Sequence, residues 1–267
     1  MNIKKESTDG GLRSLVGTRA FYKKVLLVAV PIMIQNGITN FVSLLDNIMV
    51  GQVGTEQMSG VAIANQLVFI FNLCIFGAVA GAGILGAQFY GSGNSEGVRD
   101  TFRFKLLFGV ILSAIFAVIF LTVGEPLIQQ FIHQGEGIGD LEATRSYGKA
   151  YLEVIVIGIL PFALTQCYSG TLRETGETVI PMIAGIIAVL VNLVFNYILI
   201  FGKLGAPELG CVGAAIATVL SRFVELAIVA GWTHKHVARN PFIRGALRSF
   251  KIPGSLLKQI IAIGLPL

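Results

Sequence analysis

Residues 40–51 read NFVSLLDNIMVG, an apolar stretch broken by one carboxylate, Asp46. No other charged residue lies between Lys24 and Glu56. A run of that length and polarity satisfies the requirement of about 20 predominantly apolar residues for a helix that crosses a bilayer. A lone charge at the centre of such a helix costs at least about 2.5–3.5 kcal/mol on insertion scales, so it needs a partner, a water-filled cavity or a proton. The rest of the sequence narrows that choice.

Of 267 residues, 54% are hydrophobic and 13% are charged, whereas a soluble chain carries about 25% charged residues. Too little polar side chain is available to cover a water-facing surface. Six apolar spans are expected, at 25–50, 59–87, 104–124, 147–170, 180–201 and 211–233. The connectors GQVGTEQMSG, YGSGNSEGVRD, LRETGET and GKLGAPELG separate them with turn-forming residues. The spans show no sustained two-residue alternation, and helices satisfy every backbone polar group inside lipid. The fold expected is therefore an all-α polytopic membrane protein: a six-helix transmembrane lobe followed by the start of a seventh helix.

Basic residues orient the spans. One side carries Lys4, Lys5, Arg13, Arg19, Lys23, Lys24, Arg99, Arg103, Lys105, Arg173, Lys235, Arg239, Arg244, Arg248, Lys251 and Lys258. The other carries Arg145, Lys149 and Lys203, and Arg222 falls inside a span. Sixteen against three places the N-terminus in the cytosol of a multi-pass cell-membrane protein. The net charge of +5 thus reports topology, and no nucleic-acid partner is expected. Residues 1–24 read as a basic cytosolic tail, 25–233 as the six-helix lobe, 234–255 as a basic cytosolic linker, and 256–267 as the start of helix seven. That last stretch, LLKQIIAIGLPL, repeats the character of FYKKVLLVAVPI at residues 21–32, with Pro266 aligned on Pro31 and Lys258 on Lys23. An even number of spans between them makes the repeat parallel, which implies a second, C-terminal lobe as the partner of this one. Cys74, Cys167 and Cys211 lack paired spacing and read as packing residues.

Four ionisable groups lie within spans: Asp46, Glu153, Arg222 and Glu225. Arg222 and Glu225 are three apart on one helix, a spacing at which an ion pair forms, and a structural pair is expected. Glu153 is early in its span and close to the surface. Asp46 has no base within a turn or two. Topology puts it in the outer third of span one, at the depth of Asn192 and Asn196 on span five and Thr218 on span six. A carboxylate, two amides and a hydroxyl suit a hard cation such as sodium, which takes oxygen ligands, or a proton carried by Asp46. The alternative is that the amides only bond helix to helix, worth about 0.6 kcal/mol on average in a membrane bundle.

The chain resembles the N-terminal half of a multidrug and toxic compound extrusion (MATE) family transporter. The matching residues are Pro31, Asp46, Gly51 and Gly54 as P…D…VGxxG, then LRETGETVIPM, NLVFNYILIFG and LGCVGAAIAT, in order along the spans. The resemblance implies two six-helix lobes around a central cavity and antiport driven by sodium or protons. It assigns the N-lobe cation site to Asp46, Asn192 and Asn196, with Thr218 joining them in some members. One branch of the family has an aspartate where Asn196 stands, so sodium and proton coupling both stay open. Pro31, which removes a backbone hydrogen bond, is the expected hinge.

GAGILG at Gly81–Gly86 matches a dinucleotide fingerprint but lacks the strand before it. Gly77, Gly81 and Ala82 read instead as a helix-packing face. His234 and His236 sit among basic residues and read as a solvated anchor for lipid headgroups. No nucleophile or metal set occurs at membrane depth, so no enzyme, and no cofactor beyond the coupling ion, is expected. The expected function is export of organic, cationic and amphipathic compounds in exchange for sodium or protons. A lipid-linked precursor flippase of the same superfamily and a non-transporting membrane scaffold are the alternatives.

Overall fold

The computed structural model describes residues 18–134, 140–249 and 252–264. Among them are seven α-helices and no strand: α1 Arg19–Gly51, α2 Thr55–Gly91, α3 Ser95–Gln134, α4 Leu141–Glu174, α5 Val179–Ile200, α6 Gly210–Lys235 and α7 Gly254–Gly264. Six of them are long and apolar enough to cross a membrane. Each expected span lies within one helix, apart from residue 201, and most helices continue past the span at both ends. The largest extension is α3, where 104–124 becomes a 40-residue helix. Hydropathy marks where lipid could lie, whereas the helix runs on until a cap stops it.

Those caps are written in the connectors. Gly93, at φ +75°, follows the end of α2. Its N–H bonds to Tyr90 O at 3.0 Å, and Asn94 N reaches back to Phe89 O at 2.8 Å, the two bonds of a Schellman stop. Asn94 then caps α3 by accepting from Gly97 N at 2.9 Å, so one short turn ends a helix and starts the next. Gly176, at φ +84°, ends α4 the same way, with Glu177 N on Leu172 O at 2.8 Å. Asp140 opens α4 by accepting from Glu142 N and Ala143 N.

The central element is α4, which packs against α2, α3 and α6, while α1 lies chiefly along α5. Apolar burial gives little drive between helices in lipid, so close approach at small residues matters. A Cβ on Gly60 would stand 2.6 Å from Thr144 O and 2.7 Å from Gly148 N, so α2 and α4 touch backbone to backbone there. Gly213 brings α6 equally close to the end of α5, at Leu199 O. Of the expected packing face, Gly81 and Ala82 are buried, but a Cβ at Gly77 would meet nothing within 4 Å. Phe71, Ile75, Leu152, Ile155 and Ile159 fill the core between the small-residue crossings.

Several charges assigned to the basic side have structural partners. Lys105 is fully buried, its Nζ on both carboxylate oxygens of Glu174 at 2.5 and 2.6 Å and on Thr171 Oγ1 at 3.1 Å. Arg173 donates to Gln35 Oε1 at 2.7 Å, tying α4 to α1. Of the stretch expected as a linker at 234–255, residues 234–235 end α6, 236–249 form a docked strap and 254–255 open α7. Phe242, Ile243 and Ala246 are buried against Val98, Phe102 and Tyr168. Arg99 and Arg103 donate to the carbonyls of Phe242, Gly245 and Ala246. His234 is not merely solvated: it meets Tyr168 Oη at 3.0 Å, and His236 stacks on Trp232. Helix α7 begins at Gly254, two residues before the expected 256, and packs Leu256 and Ile260 on Ala82 and Leu85 of α2. The N-terminal tail through residue 17 and the aligned Pro266 lie outside the described residues. The three cysteines are free thiols, Cys167 and Cys211 buried and Cys74 exposed.

Candidate functional site

Asp46 sits five residues before the end of α1 at Gly51, and Asn196 four residues before the end of α5 at Ile200. The two helices lie side by side, so residues at matching distance from their ends meet. Asn196 Nδ2 donates to Asp46 Oδ1 at 2.5 Å. One turn back along α5, Asn192 presents its Oδ1 to Asn196 Nδ2 at 3.1 Å. Asn192 Nδ2 reaches Thr218 Oγ1 on α6 at 3.3 Å. Asp46, Asn196, Asn192 and Thr218 thus form one polar chain across three helices.

Asn192 can be satisfied in two ways. Turned by 180° about its last bond, its nitrogen stands 3.0 Å from Asp46 Oδ1 and 3.2 Å from Oδ2. The nitrogen then donates to a bare carboxylate. In the other orientation the amide oxygen faces Asp46 and the nitrogen faces Thr218. Two oxygens at that separation repel unless a proton or a cation lies between them. Asn196 Oδ1 is buried and makes no hydrogen bond, a further acceptor without a donor. An acceptor-rich cluster of this kind suits a hard cation, which takes carboxylate, amide and hydroxyl oxygens as ligands.

The carboxylate borders a cavity of about 270 Å³ lined also by Asn47, Asn65, Asn72, Tyr151, Thr218 and Arg222. Tyr151 Oη donates to Asn65 Oδ1 at 3.2 Å. No Lys, Arg or His lies within ion-pair distance of Asp46 among the described residues. Asn47, Asn65, Asn72 and Tyr151 were not singled out in the sequence. Asn65, Asn72 and Tyr151 line this cavity only because α2 packs on α4 and touches α1. Asn47 adjoins Asp46, yet nothing in its spacing marked it.

The expected ion pair of Arg222 with Glu225 is not formed. Spacing permits it, but the guanidinium turns to the Phe162 ring of α4, 5.1 Å from its centroid. Gly158, beside it, leaves the room: a Cβ there would lie 3.3 Å from Arg222 Cδ. Glu153 is exposed on the bundle surface, where Lys149 and Arg145 pair with Glu125. Pro31 lies within an unbroken α1.

A protein named a probable multidrug resistance protein NorM from Thermotoga maritima is 32% identical over 91% of this chain and 50% of its own length. The multidrug resistance protein MdtK of Edwardsiella ictaluri is 27% identical over 92% of this chain and 52% of its own. A solved multidrug resistance MATE family transporter in an outward-facing conformation superposes with a TM-score of 0.76 at 26% identity, over 91% of this chain and 51% of that one. The chain therefore spans about half the length of the relatives it matches. The sequence model of the MatE family matches residues 31–198, more than half of the chain. By that match, and by the helical bundle it shares with a solved member, this multi-pass membrane protein belongs to the MATE family.

Proposed function

We propose that the chain forms one lobe of a secondary antiporter that exports organic, cationic and amphipathic compounds, coupled to sodium or protons at Asp46. The observation that carries this reading is that Asp46 is held by neutral amides and, among the described residues, by no base. A carboxylate so placed keeps its attraction for an incoming cation. The relatives' names, as multidrug resistance proteins, support export of drugs as the activity. The basic asymmetry of the connectors supports a cytosolic N-terminus, with Asp46 towards the outer face of the cell membrane.

The two Asn192 orientations give the site its chemistry. With Asp46 bare, the amide nitrogen donates to the carboxylate. With a proton or sodium ion on Asp46, the amide oxygen faces the loaded group, and the nitrogen turns to Thr218. Asn196 donates to Asp46 in both states, and its free oxygen is available to sodium. Loading thus reverses the Asn192–Asp46 contact between α5 and α1 and turns the Asn192 nitrogen to Thr218 on α6. A ligand shifts a conformational equilibrium only through unequal affinity for the two states, and this reversal is where such inequality would arise. Pro31 would let α1 bend as those contacts change, because its turn lacks one backbone bond.

The test is Asp46→Asn in the complete transporter, in cells that lack other exporters. Ion-coupled efflux of a cationic dye should be lost, with expression and membrane insertion near wild type. Efflux persisting at the wild-type rate would remove Asp46 from the coupling site.

A further inference from the structure

We infer that the cavity beside Asp46 holds a second ligand site, for a monovalent anion or the anionic group of a small molecule, at Arg222. Arg222 is the thirteenth residue of the 26-residue α6, midway along a membrane-spanning helix. Its Nη1 is buried and makes no hydrogen bond. No carboxylate lies within ion-pair distance of it among the described residues. A permanently charged guanidinium at that depth is retained only with a counter-charge, and among the described residues none touches it: Glu225 acts on it only from beyond ion-pair distance, and Asp46 lies across the cavity.

The surroundings fix the group in place. The Phe162 face supports the guanidinium plane, a cation–π contact that orients it without neutralising it. Gly158 leaves the space in which the side chain lies, with Nη1 3.4 Å from where a Cβ would be. The cavity that Arg222 lines is polar on its other sides as well. Tyr151 and Asn65 face it, and Asn72 carries an unbonded amide oxygen there, so a turned amide would present its N–H groups to an anion. At about 270 Å³ the space admits a halide, or the carboxylate end of a ligand whose remainder stays outside. Ligand pockets for whole drug-sized molecules start at about 300 Å³.

The inference stands on the cavity geometry, not on the antiport reading, and its test needs no transport. The full chain in detergent is titrated with sodium bromide, and separately with sodium acetate. Ionic strength and sodium are held constant with a bulky sulfonate, and thermal unfolding is recorded. A ligand that binds only the folded state raises Tm along a saturable curve. Wild type should show that curve, and Arg239→Gln, at an exposed position on the strap, should keep it. Arg222→Gln should raise the apparent Kd by about thirtyfold or more, the factor expected when one partner of a buried ion pair is truncated. Saturation by bromide alone marks a halide site, and saturation by acetate as well marks a site for carboxylates. A curve that is absent in wild type, or unchanged in Arg222→Gln, overturns the inference. So does a curve seen only in Asp46→Asn, which would make Asp46 the counter-ion. Should Arg222→Gln fail to fold, bromide-soaked crystals of the wild-type chain decide: an anomalous peak against Nη1 supports the site, and its absence refutes it.

Discussion

Two of the part-buried carboxylates in this bundle, Glu174 and Asp46, differ in what holds them. Glu174, near the end where the basic residues gather, has the Lys105 ammonium on both oxygens at 2.5 and 2.6 Å. It is packed into the groove that Gly83 and Gly86 leave on α2. Asp46, near the opposite end, has an amide at 2.5 Å and a second amide whose nitrogen reaches it in one of its two orientations. Both carboxylates border a cavity, of about 270 Å³ at Asp46 and about 360 Å³ at Glu174. A carboxylate matched by a fixed ammonium has no net charge to offer a visiting ion, whereas one held by neutral donors does. The first therefore acts as a clasp between α3 and α4, and the second as a site.

Breaking the clasp should have the largest effect. Lys105→Met leaves Glu174 buried without a counter-charge, and removing one partner of a buried pair costs about 3–5 kcal/mol. The expected readout is a large fall in the unfolding free energy of the detergent-solubilised chain. Replacing both partners with methionine should recover most of the loss, because an apolar pair of similar volume is often neutral or better. A single Lys105→Met variant as stable as wild type would show that the clasp holds nothing. The groove gives the next effect. A Cβ on Gly83 would stand 2.6 Å from Glu174 Oε1, so Gly83→Ala must displace the carboxylate from its ammonium. Overpacking of this kind costs about 1–3 kcal/mol. The same substitution in a Glu174→Ala background should cost far less, since coupled neighbours are not additive.

The sequence shows these two carboxylates unequally. Asp46 stands out because it interrupts a charge-free run, and its depth follows from counting along helices, as do those of Asn192, Asn196 and Thr218. Glu174 and Lys105 each lie where a span meets a connector, so each reads as one more charge of the topology. Their pairing joins residues 69 apart, a distance that no local pattern spans. The opposite error occurs at Arg222 and Glu225, where local spacing allows a pair and tertiary packing on Phe162 prevents it. The spans were legible because lipid imposes a continuous apolar run, and their ends were less so because hydropathy does not report caps such as Asn94 and Asp140. The strap over Phe102 was hidden for a further reason: its anchors are backbone carbonyls, which any sequence carries.

The smallest expected effect sharpens the comparison most. Asp46→Asn should change the unfolding free energy, measured without sodium, by no more than about 0.6 kcal/mol, the average worth of one hydrogen bond between membrane helices. The new amide keeps an oxygen for Asn196 Nδ2. Its nitrogen faces Asn192 Oδ1 in the orientation where that oxygen points to position 46. Nothing is left unpaired, in contrast to Lys105→Met. What the variant should lose is ligand linkage. If sodium binds Asp46 in the wild-type chain, a concentration a hundred times its Kd stabilises the fold by about 2.7 kcal/mol, and Asp46→Asn should show none of that gain. The same sodium titration on the Lys105→Met/Glu174→Met variant should retain it in full, because the clasp and the site share no partner. Loss of the sodium response in both variants would mean that the two ends of the bundle act as one unit, and the distinction between clasp and site would fall.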